Sequence, residues 1–68
     1  MDYYDLLEQS ATEKDRSRHA LEGARLAKNR RQTRQVRFCV DLARNHHDNA
    51  RRLYNEAHAL IRAELLES

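Results

Sequence analysis

The chain has 68 residues, with 13 Lys or Arg against 11 Asp or Glu, one Gly, one Cys, no Pro and a net charge of +2. That length holds one domain, 1–68, near the lower limit for a self-sufficient core. A lone cysteine excludes a disulfide framework, and no apolar run approaches the roughly 18 residues that a membrane span needs. With no leader-like segment, the expected compartment is the cytoplasm.

Asp2 offers an N-cap, with Asp5 three residues on, so a helix is expected from about residue 2. Tyr3, Leu6, Leu7 and Ser10 share one face. Residues 12–19 carry no apolar side chain, and Thr12 with Asp15 is able to restart a helix there. The face nevertheless keeps its phase through Ser10, Ser17 and Ala24, flanked by Ala20, Leu21 and Ala27. One helix over about 2–29 follows, in which Gly23 costs about 1 kcal/mol relative to Ala. Lys28-Asn29-Arg30-Arg31-Gln32-Thr33 is the expected turn, about 29–33, with Asn29 suited to a left-handed backbone and Thr33 to capping the next helix.

The second helix is expected over about 34–66. It carries a seven-residue row, Val36, Ala43, Ala50 and Ala57, with Val40, His47, Tyr54 and Ile61 on one side and Cys39, His46, Leu53 and Leu60 on the other. These rows form one stripe roughly 100° wide. Small residues at this spacing on both arms suit a tight pair, so the fold class is all-α, an antiparallel helical hairpin with close Ala-repeat packing. Tyr3, Leu6 and Leu7 are expected to meet Leu53, Leu60 and Ile61 at the open end. A third helix broken off near Asn45–Asp48, and a single unbroken rod, are the alternatives. Four aromatics (Tyr3, Tyr4, Phe38, Tyr54) make a modest core for one copy, which favours a homodimeric four-helix arrangement.

This layout resembles the Rop family, whose two-helix hairpins dimerise into an antiparallel four-helix bundle with small residues at tight contacts. In size and form the chain is also similar to phage-encoded anti-activators, which block host transcription regulators, quorum-sensing receptors among them.

Charge is unevenly spread: −4 over residues 1–15, +8 over 16–52 and −2 over 53–68. The densest basic cluster is Arg25, Lys28, Arg30, Arg31, Arg34 and Arg37, a set able to neutralise phosphates. Its bland reading is a solvated face paired in part with Glu22, Asp41 and Asp48. Phe38 and Leu42, one turn apart, lie on the back of the second helix, away from the Ala row. They read as a homodimer seam, as a docking patch, or as residues covered by Leu26 and the turn. An aromatic anchor beside Arg30, Arg31, Arg34 and Arg37 has the composition of a protein-binding hot spot, with Tyr54 as a further contributor.

Other side chains point to less. His46 and His47 project about 100° apart, so one ion cannot take both, and His19 with Asp15 supplies only two ligands. The two adjacent histidines read as hydrogen-bonded residues at the core margin. Cys39 reads as a small packed residue. No metal, cofactor or catalytic residue is assigned, and an enzyme is not expected. The expected function is that of a small non-enzymatic regulatory protein, of the kind encoded by phages and plasmids. It would bind and inhibit or redirect a larger host protein, such as a transcription regulator, using Phe38, Leu42 and the arginines. The alternative is a nucleic-acid-binding regulator, RNA or DNA, using Arg25, Lys28, Arg30, Arg31, Arg34 and Arg37 at the turn.

Overall fold

A seven-residue rhythm of small side chains on both arms suits two helices lying close and antiparallel. The computed structural model, which describes residues 3–67, has that form. Helix α1 runs Tyr3–Asn29 and α2 runs Thr33–Glu67, packed along their length into a rod of 56 × 14 × 13 Å. Neither proposed interruption occurs: α1 is continuous through Ser10–Thr12 and α2 through Asn45–Asp48. The expected cap at Asp2 lies outside the described residues. Asp5 in the first turn of α1 and Lys28 in its last both complement the helix dipole.

The buried stripe is built almost wholly of small residues. Ser10, Ser17, Ala20, Ala24 and Ala27 from α1 meet Cys39, Ala43, Ala50 and Ala57 from α2, and Leu6 is the one large side chain among the buried residues. With so little side chain between them, the backbones approach until serine reaches across. Ser10 Oγ donates to the Ala50 carbonyl at 2.8 Å, and Ser17 Oγ donates to the Ala43 carbonyl at 2.9 Å. These two bonds fix the register. They set Ser10 level with Ala50 and Ser17 with Ala43, and the same offset sets Tyr3 level with Ala57. Residues of α2 beyond that point run past the described start of α1, and Leu65 and Leu66 there are 71% and 84% exposed. Gly23 lies against α2 near the turn, where a Cβ would stand 3.4 Å from Cys39 Sγ, at the edge of ordinary van der Waals contact.

The turn differs from expectation in its details. The left-handed residue is Arg31, with φ 58°, and not Asn29, which ends α1. Gln32 N donates to the Ala27 carbonyl at 2.9 Å and Arg31 N to the Lys28 carbonyl at 3.0 Å. That pair of bonds is a Schellman closure, which places Arg31 where glycine is usually found. The cap of α2 is also displaced by one residue. Val36 N donates to the Gln32 carbonyl at 3.0 Å, so Gln32 stands at the capping position and Thr33 is the first helical residue.

Candidate functional site

Because burial repeats every seventh residue in both helices, side chains seven apart form straight rows along the rod. Two contacts identify which rows share a side. The Lys14 ammonium lies 5.7 Å from the centre of the Tyr54 ring. His46 Nδ1 donates to Glu13 Oε2 at 2.5 Å. Lys14 and Tyr54 therefore mark one flank of the Ala stripe, Glu13 and His46 the other.

On the Glu13 side, the outer rows of α1 hold Asp5, Gln9, Thr12, Arg16, His19, Gly23 and Leu26. Those of α2 hold Gln35, Phe38, Leu42, Asn45, Asn49, Arg52, Glu56, Ala59, Ala63 and Leu66. Charge balances there, with two bases against two acids. Toward the turn the flank is apolar: Leu26 is 59% exposed, Phe38 61% and Leu42 38%. Leu26 does not cover Phe38, so the reading in which the turn folds over the ring does not hold. At the open end of the rod, Leu6, Glu56, Ala59 and Leu60 line a shallow depression. Leu60 is 40% exposed, so the expected apolar closure with Tyr3, Leu6 and Leu7 is incomplete.

The Lys14 side has a different composition. Its rows hold Tyr4, Leu7, Ala11, Lys14, Arg18, Leu21, Arg25 and Lys28 from α1. From α2 come Arg37, Val40, Arg44, His47, Arg51, Tyr54, His58, Ile61 and Leu65. Seven cations and two histidines stand there without one Asp or Glu. All seven cations are exposed, and none is ion-paired among the described residues. Lys14, His47, Ala50, Arg51 and Tyr54 line a depression at its middle, where the Tyr54 and His58 rings lie 4.4 Å apart.

The six basic residues singled out in the sequence are thus divided by the fold. Arg25, Lys28 and Arg37 belong to the acid-free flank. Arg30 and Arg31 lie in the turn, and Arg34 lies on the back of α2, one helical turn before Phe38. Arg44 and Arg51, which extend the basic cluster along the second helix in the sequence, fall on the same flank, and Lys14 and Arg18, which did not stand out in the sequence, join them there. Their signal was the spacing Arg37-Arg44-Arg51 and Arg18-Arg25, which repeats at seven like the Ala row.

The carboxylate nearest the seam is Glu13, whose side chain is 16% exposed. A hydrogen bond from His46, opposed by partial burial and aided by the charges of His46 and Arg16 and a bond from Asn49, holds its carboxyl below the ordinary value. His46 is therefore a satisfied margin residue bonded to Glu13. His19 Nδ1 bonds the Asp15 backbone carbonyl at 2.8 Å, so its link to that residue is to the backbone. No three His, Cys, Asp or Glu side chains converge among the described residues. Also among those residues, no helix is long and apolar enough to cross a membrane. Compared with protein-family models, curated proteins and solved structures, the chain matches none.

Proposed function

We propose that this hairpin acts by binding, without catalysis, as a small regulatory protein that docks on a larger protein and inhibits or redirects it. One observation carries this reading: the exposed cluster of Leu26, Phe38 and Leu42 on the charge-balanced flank. A lone Phe left 61% exposed in a chain of mean hydropathy −1.04 is costly in water. Seating it in a partner pocket recovers that cost, and aromatic anchors of this kind dominate protein interfaces. Arg34 behind Phe38, with Arg30 and Arg31 in the turn, supplies a basic rim that attracts an acidic partner surface and sets its orientation.

The expected homodimer is the rival occupant of this flank. A tagged chain captured from its native cell, with nuclease present, should retain one larger protein at near-equal amounts. Phe38→Ala and Leu42→Ala should each release it, Phe38→Ala by about thirtyfold in affinity for a loss of about 2 kcal/mol. The helical circular dichroism and the mass in solution should stay as in the native chain. A dimeric mass that becomes monomeric in Phe38→Ala would instead assign the flank to self-association and overturn the docking reading.

A further inference from the structure

The acid-free flank has no part in that docking reading, since it faces the opposite side of the rod. Eleven carboxylates are present in the chain, and chance would place several among the seventeen positions of this flank. Instead those of the described residues stand on the back rows, on the other flank, within the seam at Glu13, or at Glu64 and Glu67 near the end of α2. The cations show the reverse preference: Arg18 and Arg25 on α1 and Arg37, Arg44 and Arg51 on α2 form two rows that border the line of Lys14, Lys28 and Tyr54. With Ser10 level with Ala50, Arg51 stands level with Gln9 and Lys28 level with Gln32. The seven positive charges are therefore spread over about 28 Å of the rod, at the 1.5 Å helical rise per residue.

We infer that this flank, through Lys14, Arg18, Arg25, Lys28, Arg37, Arg44 and Arg51, binds the phosphate backbone of double-stranded nucleic acid. A duplex is the ligand that matches a long, straight, one-signed strip. It carries one negative charge per roughly 1.7 Å of its axis, and 28 Å is most of one turn. A rod with cross-section 14 × 13 Å between backbone positions alone is too wide to enter a major groove about 12 Å across. The flank consequently lies across the phosphates and leaves the base edges untouched, so binding is indifferent to sequence. An anionic membrane fits less well. The apolar side chains between the cation rows, Leu21, Val40 and Tyr54 among them, are interrupted by Lys14, His47 and Lys28 and form no continuous wedge for insertion. This interface also differs from one centred on the turn, because Arg18, Arg44 and Arg51 lie well down the helices.

The test compares two double variants with the same loss of charge at different places. Arg18→Gln with Arg44→Gln removes two cations from the flank; Arg34→Gln with Arg62→Gln removes two from the back of α2. Each is titrated against 20-base-pair DNA and RNA duplexes of two unrelated sequences, across a salt series. The native chain should bind all duplexes of one kind alike, with log K falling steeply against log salt. The flank variant should bind at least about tenfold more weakly at 0.1 M salt and lose close to two units of that slope, about 0.9 per lost phosphate contact. The back variant should stay within about twofold of the native chain. Equal losses in both variants would reduce the effect to net charge and overturn the assignment. So would duplex binding that is absent at 50 mM salt, or binding to vesicles rich in anionic lipid in preference to duplex. Phe38→Ala, whose side chain faces away, should leave duplex binding intact even where it destroys protein docking. The two readings therefore fail separately.

Discussion

Replacing Ala50 with Leu separates a close-packed helix pair from an ordinary coiled coil by the sign of its effect. In an ordinary seam, a leucine at a position repeating every seventh residue adds buried apolar surface, up to about 2 kcal/mol for three more carbons. Here Ala50 is 1% exposed and its carbonyl accepts the Ser10 hydroxyl at 2.8 Å. Three added carbons fit only if the helices separate from the near limit of about 8 Å toward 10 Å. Separation breaks the Ser10 bond and strains that of Ser17, worth about 0.5–1.5 kcal/mol each. It also loosens the packing of the buried stripe on either side, at Ala43 and Ala57, while overpacking itself costs about 1–3 kcal/mol. On a rod two helices thick, much of the new leucine stays wet, so the gain does not offset these losses. The expected net loss is about 2–4 kcal/mol, out of about 3–10 kcal/mol for a domain of this length. Thermal unfolding followed by circular dichroism should show a midpoint lower by about 10–25 °C. Ser10→Ala adds the decisive arm. It should cost about 1 kcal/mol in the native background and almost nothing beside Ala50→Leu, because there the bond is already broken. Should the leucine variant not fold, Ala50→Val repeats the comparison with a smaller step. A raised midpoint, or an equal cost of Ser10→Ala in both backgrounds, would refute the close-approach account.

Two further outcomes follow from the turn and the seam. Arg31→Gly removes a side chain from a left-handed position and should stabilise the hairpin by about 1 kcal/mol in urea unfolding; a destabilised variant would mean that the arginine side chain holds the turn. Glu13 has its carboxyl held below the ordinary value, chiefly by His46. Its contribution is therefore complete above the unfolded carboxylate value of about 4.3 and is lost as pH falls below it. Between pH 5 and pH 3 the native chain should lose stability more steeply than Glu13→Gln, whereas parallel profiles would show that the bond to His46 carries no pH-dependent stability.

The helices and their pairing were legible because one signal, small residues every seventh position, ran through both arms and survived the polar stretch of residues 12–19. The turn was less legible. Propensity favours Asn29 as the left-handed residue, but the closure depends on which carbonyls are within reach, and the bonds to Ala27 and Lys28 put Arg31 there. The distribution of the cations around the rod was hidden for a related reason. Arginines adjacent in sequence, such as Arg51 and Arg52, look like one cluster, yet a helix turns them about 100° apart, onto different flanks. Arginines seven apart look dispersed and in fact form a row. His46 pointed only to the margin of the seam, because its partner Glu13 stands 33 positions away in sequence and is defined only once the register is known.

That register also decides how the two flanks relate. The Ser10 and Ser17 bonds lock the helices so that every cation of the acid-free rows emerges on one side and Phe38 on the other. A slip of one residue between helices would shift these levels by about 1.5 Å and separate Lys14 from Tyr54 and Glu13 from His46. It would leave the Ala surfaces able to pack almost as well, since alanine discriminates poorly between neighbouring holes. Apolar packing therefore specifies the register only weakly away from the hydrogen-bonded turn. Directional bonds from two serines and one Glu–His pair are what make its surfaces definite. Ser10→Ala with Ser17→Ala should consequently blur the duplex affinity and the partner affinity together, although neither serine is within reach of either ligand.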